Sequence, residues 1–539
     1  MGYGGAQPED IMTMIESVDV IIIGGGLAGM VAADAACGQG ARVLIVDRST
    51  LGMGTNTALS NGVFAGPTAG YNAATYLADT HRIGKEIGCG WMAKRVAADI
   101  GEGIEWLRRI GIEMVEKKDH YFVATDLNDP FPGAHLARLV AAYIRQRPGV
   151  SFRGGTQVQR LLVDEERIVG IFGYDDQGKP LVIQAGAVVL ATGGAAALYL
   201  RNDNQKSTLG QGYALALNAG LALWDMEFIQ YYPIVMAQDR LPAMMLNSPH
   251  PEGSRIINAA GEDIAEKYGI ADLNDAIRNR RDWLSAVLFE ETRNGEVFMD
   301  YRAVADRHWE RHPLVLLKDR RFDFRNRPVA ISPAAHYVMG GVRIDETGQT
   351  EVKGLFACGE VVWGLHGACR KGGNALSECL VFGRLAGRHA AWCAKTGYGK
   401  AWPDMAPAMR NASGEGNPRA LKKEIQALAW RCAGVVRDED GLAEGLAEIE
   451  RITRQIQKLP RDTVKDLRAA MDLDGMVRIL ECILAASRMR KESRGCFLRT
   501  DYPAQNDSQW LKNSCVKTSC ANCGGPIVKF LAACVQNNV

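Results

Sequence analysis

Residues 18–47 read VDVIIIGGGLAGMVAADAACGQGARVLIVD. VDVIII is a continuous apolar, β-branched run, the composition of a strand buried on both faces of a parallel sheet. The glycine-rich turn after it opens a helical pattern from Leu27 to about Gly38. A second apolar run, Ala41 to Val46, ends at Asp47. Strand, turn, helix and strand in about 30 residues make a βαβ unit. Within it Gly24, Gly26 and Gly29 form G-x-G-x-x-G. The first glycine makes a tight turn, the second lets backbone approach a pyrophosphate, and the third lets helix and strand pack closely. The helix N-terminus adds free N–H groups and a partial positive charge. Asp47, 18 residues beyond Gly29, stands where a carboxylate accepts hydrogen bonds from an adenosine ribose. A glycine turn without a ligand is the bland alternative, and the placement inside a βαβ unit argues against it.

Outward from this unit, the 539 residues exceed what one core supports, so roughly two to four domains are expected. A net charge of +1 gives no electrostatic case for nucleic acid or an anionic membrane as partner. The stretch Val18 to Ala36 is interrupted by Asp19, four glycines and Asp34, so no direct membrane insertion is expected. The N-terminus lacks a basic start followed by an apolar stretch. Nine cysteines, Cys37 to Cys496, sit mostly in apolar segments and read as small buried hydrophobes in a reducing compartment, which predicts a cytoplasmic protein.

Residues 91–111 and 134–147 read as helices. Gln157–Val163, Ile168–Tyr174 and Leu181–Leu190 read as strands. Residues 240–328 are more polar and Arg-rich and read as an inserted domain. Strand character returns at 340–345 and 354–358, before a helix from about 374 to 396. Residues 400–418 read as a linker. Beyond them Leu421, Ile425 and Leu428, then Leu442, Leu446 and Ile449, then Met476, Ile479 and Ile483 recur at helical spacing, predicting a small bundle.

Seven segments carry a family resemblance: VDVIIIGGGLAGM (18–30), GTNTALSNG (54–62), AVVLATGGAA (187–196), GYALALNAGLALWDMEFIQYYP (212–233), AHYVMGGVRID (335–345), GLFACGEVVWGLHGACRKGGNALSECLVFGRLAG (354–387) and ESRGCFLRTDYP (492–503). Over roughly residues 18–515, in one collinear order, the chain resembles the flavoprotein subunits of succinate dehydrogenase and fumarate reductase and their soluble relatives. The resemblance implies an α/β fold: a Rossmann-type FAD-binding domain (15–235 and 329–400) interrupted by an α+β capping domain (236–328). A helical domain (418–505) and a cysteine-containing tail (506–539) follow. It implies that Thr192, Gly193 and Glu360 contact FAD, with Glu360 on a ribose, and that Asn374 and Leu376 lie in the segment facing the flavin pyrimidine. Arg48, Asn56, Thr57, Val158 and Gln211 complete the expected FAD contacts.

Reducing an α,β-unsaturated acid needs a hydride from flavin N5, cations for the carboxylates, and an acid for the other carbon. By resemblance His336 and Arg370 bind substrate carboxylate and Arg281, in RNRRDWLSAVLFEETRNG (278–295), donates the proton. The bland alternatives are a core histidine, a solvated Arg370–Lys371 pair and a surface arginine.

The chain departs from the family at four places. Asn56 stands where membrane-bound members attach FAD through a histidine, so non-covalent FAD is expected. Gln211 replaces an aspartate. Tyr232 replaces the second substrate histidine. Asn247 and His250 replace the Glu and Arg of the proton relay, and His250 is expected to carry protons in their stead. The redox core is kept, and the expected substrate is a small organic acid larger or less acidic than succinate or fumarate, or a thioester. An amino-acid oxidase of the L-aspartate oxidase type is a competitor. An electron-transfer subunit without its own small-molecule substrate is the alternative from another class. Cys515, Cys520, Cys523 and Cys534 read as an iron–sulfur site, half of a zinc ribbon, or free thiols. Some members of the family pass electrons to a separate iron–sulfur protein.

Overall fold

The computed structural model describes residues 15–126, 129–318, 322–395, 414–517 and 526–534. Its largest sheet runs in the order Val150–Arg153, Val43–Val46, Ile15–Ile23, Pro180–Leu190, Arg167–Tyr174, Gln157–Asp164, with Leu355–Ala357 also on Pro180–Leu190. Ile21 pairs in parallel with Leu44 and with Val188, and Phe356 with Val189. The two outermost pairings, through Arg167–Tyr174, are antiparallel. Ile21, Ile22, Val188 and Val189 are wholly buried. Such continuous apolar strands cannot face water on either side.

The helices Leu27–Cys37 and Asn374–Ala394 lie against each other on this sheet. A Cβ at Gly387 would stand 2.2 Å from Ala32 O, so glycine there is what lets the two backbones meet. Both therefore begin near the strand ends where the glycine turn lies, at the ligand-binding edge of an open α/β sheet.

A second sheet, in the order Ile229–Met236, Val329–Val338, Val297–Asp300, Arg255–Asn258, is antiparallel throughout. It carries the helices Leu273–Asn279 and Arg281–Arg293 and its own core of Ile234, Ile256, Leu284, Leu288, Met299 and Ile331. Its two long strands carry Tyr232 and His336 on the cavity and Ile234 and Ile331 in the core of this unit. The three helical repeats appear as Pro418–Cys432, Glu439–Gln457 and Val464–Met489. The expected strand at 340–345 shrinks to Gly341–Val342, where Gly341 has φ +159° and an added Cβ would lie 2.3 Å from Val361 O.

Two described segments of the tail are strands. Lys512–Lys517 and Ile527–Ala532 form an antiparallel hairpin that adds to Leu223–Trp224. Among the described residues no helix is long and apolar enough to cross a membrane.

Candidate active site

A cavity of about 900 Å³ opens between the strand ends of the large sheet and the inserted unit. One end is the glycine turn. Gly24 has φ +117°, and a Cβ there would lie 2.1 Å from Ala191 O; at Gly29 it would lie 2.0 Å from Gly24 O. Both positions are closed to any side chain. Gly26 differs: its nearest neighbour would be Thr57 Oγ1 at 3.7 Å, so its missing side chain leaves room on the cavity side. Thr57 Oγ1 accepts from Leu27 N at 3.0 Å. Gly24, Gly26 and Thr57 line the cavity, whereas Gly29 acts one layer behind it.

Asp47 lines the cavity but also braces the turn. Its Oδ2 accepts from Gly25 N at 2.6 Å and its Oδ1 from Ser49 N and Oγ, both at 2.7 Å. Lone-pair directions remain for a ribose. Arg48 and Gln211, expected at the cofactor, share a partner that no motif points to. Asp472 of the helical bundle receives Arg48 in a bidentate pair at 2.9 and 2.8 Å, Gln211 Nε2 at 3.1 Å and Gln157 Nε2 at 3.2 Å. Nothing marks Asp472 in a helix rich in charges, so only the fold reveals it. Val158 and Leu376 line the cavity walls. Asn56 donates to Asn204 Oδ1 at 2.5 Å and accepts from Gln205 N at 2.9 Å. Asn374 is wholly buried outside the cavity, its Oδ1 receiving Tyr76 OH at 3.0 Å.

Four buried polar atoms on the cavity wall have no hydrogen-bond partner among the described residues: Thr156 Oγ1, Gln157 Oε1, Thr192 Oγ1 and Arg370 Nε. Such groups are costly unless something polar completes them. Gly193, at φ +73°, turns the chain beside Thr192. Glu360, with Oε1 3.1 Å from Val338 N, is buried, and that burial pushes its carboxyl up to about 8. A cavity with unpartnered polar groups on its wall and a helix N-terminus at the glycine turn fits a dinucleotide.

At the other end Arg281, His336, Arg370 and Tyr232 converge on the same cavity. His336 Nδ1 lies 2.8 Å from Asp203 Oδ2, which fixes the ring. Arg370 is 7% exposed and sits 4.6 Å from the Tyr337 ring centroid. Burial and then the nearby Arg281 hold its pKa below the ordinary arginine value. The Arg281 guanidinium is 5.6 Å from the Tyr232 ring centroid, and its Nε reaches only Ile277 O at 3.4 Å. Neither guanidinium is paired with a carboxylate among the described residues. Lys371, by contrast, is tied to Asp119 Oδ2 and Tyr71 OH, each at 3.2 Å. His120, which no motif announces, lines the cavity with Nε2 3.0 Å from Gly372 O.

Two expectations need correction. His250 does not reach the cavity. It is buried in the inserted unit, with its ring stacked on Tyr301 and Nδ1 3.2 Å from Tyr301 OH. Burial pushes its pKa down to about 4, so it is a neutral core ring and not a relay. Asn247 is bonded instead to Asn61 through paired carboxamides at 3.0 and 3.1 Å. The four-cysteine site also fails. Cys534 is joined to Cys89 in a disulfide, and Cys515 stands in a strand opposite Trp224 and Lys529. Cys520 and Cys523 lie outside the described residues.

Fold and cavity together define a dinucleotide-binding oxidoreductase of the open α/β class. Residues 19–376 match the FAD binding domain family and residues 422–528 the fumarate reductase flavoprotein C-terminal family. The chain belongs to this flavoprotein family and is an FAD-dependent oxidoreductase. It is 31% identical to an L-aspartate oxidase of Caulobacter vibrioides, covering 90% of this chain and 93% of that one. It is 29% identical to one of the subunits of the fumarate reductase (CoM/CoB) of Methanothermobacter marburgensis, covering 66% and 68%. The fold is that of the E. coli quinol fumarate reductase protein FrdA, with a TM-score of 0.86 at 23% identity over 97% of this chain and 98% of that one.

Proposed function

We propose that this enzyme moves a hydride between bound FAD and a carbon beside a carboxylate, on a small organic acid other than succinate or fumarate. One observation carries the reading: two guanidiniums that pair with no carboxylate among the described residues, and a histidine aligned by Asp203, face the cavity that begins at the glycine turn. The turn and the helix N-terminus at Leu27 would hold the pyrophosphate, Asp47 and Glu360 the riboses, and Thr192 and Gln157 further polar edges. Bound FAD supplies the two-electron chemistry at N5. Arg370 and His336 clamp the carboxylate, a bidentate task suited to a planar guanidinium. Arg281 meets the carbon opposite and gives or takes the proton.

Tyr232 supports a substrate other than succinate or fumarate. A phenol with its ring turned to Arg281 offers no cation for a second carboxylate. His250 and Asn247 supply no relay, so Arg281 must recover its proton through water in the cavity. Non-covalent FAD follows from Asn56, whose amide lacks a nucleophilic ring nitrogen, and denatured protein should release all its flavin. A panel of enoic, hydroxy and amino acids, and their thioesters, tests the reading by flavin bleaching or reoxidation. Wild type should respond to at least one and Arg281→Gln to none. Fumarate turnover at rates typical of enzymes would overturn the substrate assignment.

The identity to an L-aspartate oxidase favours a second reading, oxidation of a C–N bond at the same clamp. Oxygen uptake with L-aspartate distinguishes it. We also infer an iron–sulfur protein as electron partner, since one relative is named as part of a multi-subunit enzyme. Turnover by the isolated chain with no added electron carrier other than oxygen would remove that inference.

A further inference from the structure

We propose that Asp282, Cys369 and Cys496 form a binding site for one thiophilic divalent cation of the zinc class, fastening the inserted unit directly behind the two cavity arginines. The ligand atoms all lie within 4.8 Å of one another. Cys369 Sγ is 2.9 Å from Asp282 Oδ2, and Cys496 Sγ is 2.9 Å from Asp282 Oδ1. Both thiols thus converge on the two oxygens of one carboxylate. Two sulfurs and a carboxylate oxygen are a borderline-soft donor set that suits zinc and disfavours magnesium or calcium.

The backbone builds this convergence. Cys496 N donates to Ala368 O at 3.0 Å, tying the two cysteine loops together. Gly495, at φ +55°, makes the approach possible, because a Cβ there would lie 2.5 Å from the same Ala368 O. Two of the three ligands are therefore fixed before any ion arrives. The third, Asp282, is the second residue of the helix Arg281–Arg293 and remains partly exposed, which leaves the ion a way in.

The three ligands come from three parts of the chain. Asp282 belongs to the inserted unit and directly follows Arg281. Cys369 belongs to the loop before the helix Asn374–Ala394 and directly precedes Arg370. Cys496 follows the helical bundle. An ion held here would set the spacing of the two guanidiniums without touching the substrate. Binding displaces the two thiol protons, and no electron is transferred.

The test uses the full-length holoenzyme, purified under reducing conditions, stripped with a chelator and titrated with cobalt(II). We expect one equivalent with thiolate charge-transfer and tetrahedral ligand-field bands to the red of oxidised flavin. Zinc should displace it. Cys369→Ser and Cys496→Ser should each weaken binding by more than about 100-fold while flavin content holds, and Asp282→Asn by about 10-fold. Cys515→Ser/Cys520→Ser/Cys523→Ser should keep the bands. Wild-type holoenzyme that takes up no cobalt overturns the proposal whatever the variants do. So do bands that survive in Cys369→Ser/Cys496→Ser or vanish with the tail cysteines, and so does a Cys369–Cys496 disulfide in protein that binds no metal once reduced.

Discussion

Among the described residues, two clusters of arginines are treated oppositely. Behind the helical bundle, Arg490, Arg494 and Arg499 are almost wholly buried. Arg490 meets Glu227 at 2.8 Å and Glu492 at 2.9 Å and donates to the carbonyls of Trp510 and Lys512 at 3.0 and 2.7 Å. Arg494 meets Glu492 and Asp507, both at 2.7 Å. In the cavity, Arg281 and Arg370 have no such partners among the described residues. The electrostatics follow. Burial pulls Arg490 down, but Glu227 and Asp225 more than offset it and leave its pKa raised. Burial pulls Arg370 down and Arg281 adds to the pull. A buried charge is tolerated when paired and hydrogen-bonded and is costly otherwise. The first cluster is structure. The second keeps its donors clear of protein carboxylates, at a cost to stability where Arg370 is buried.

The sharpest break of this contrast is Arg370→Met. Loss of a positioned charge that meets the reacting group typically costs about 10³-fold in turnover. Stability should hold or rise, since an unpaired buried cation is exchanged for an apolar side chain. Steady-state turnover and a thermal melt on the same sample check both halves. A melt that falls together with activity would mean that Arg370 is structural. Arg490→Met is the mirror image. It leaves Glu227 in the core without a cation, while Glu492 keeps Arg494, so about 3–5 kcal/mol of stability should go, read as a lowered denaturation midpoint, while any folded fraction keeps its flavin.

This contrast also shows what the sequence could carry. The βαβ unit was legible because its glycines are required by contacts close around the turn, as at Gly24 and Gly29. The arginines were legible as members of motifs, yet their lack of a carboxylate partner among the described residues was not, since pairing is a property of the fold. Asp472 was invisible for the same reason: three side chains from distant segments meet on it. His250 misled because spacing put it near a relay position, while the packing of Tyr301 took the ring inward. The tail misled because its cysteines suggested a local cluster. Cys534 instead reaches Cys89, 445 residues away, and no spacing rule spans that distance.

His250 gives a middle-sized test, because burial with only the neutral Tyr301 hydroxyl beside the ring should register in pH dependence. Its pKa is about 4 in the folded chain against about 6.5 unfolded. A lowered folded value means that the unfolded chain gains a proton first as pH falls. Stability is therefore intact above about 6.5 and lost progressively down to about 4, by up to about 3 kcal/mol. His250→Phe should remove that loss, seen in denaturation midpoints at several pH values. It should leave the pH profile of turnover unchanged, because the ring does not face the cavity. A displaced turnover profile would restore His250 as a relay.

The smallest effect tests whether partners or burial make the difference between the two arginine clusters. Arg451 is as well furnished as Arg490: it pairs with Glu448 at 2.8 Å, with Glu424, and with Gln455 Oε1 at 3.1 Å. Its side chain is nevertheless 40% exposed. Water already solvates all of these groups, so little Coulomb energy is gained and side-chain freedom is lost in holding them. Arg451→Ala should shift stability by no more than about 0.5 kcal/mol, and added salt should shrink even that. If Arg451→Ala instead rivals Arg490→Met in a denaturant titration, the number of partners governs, not their desolvation. Arg281 and Arg370 would then lose their standing as sites defined by what they lack.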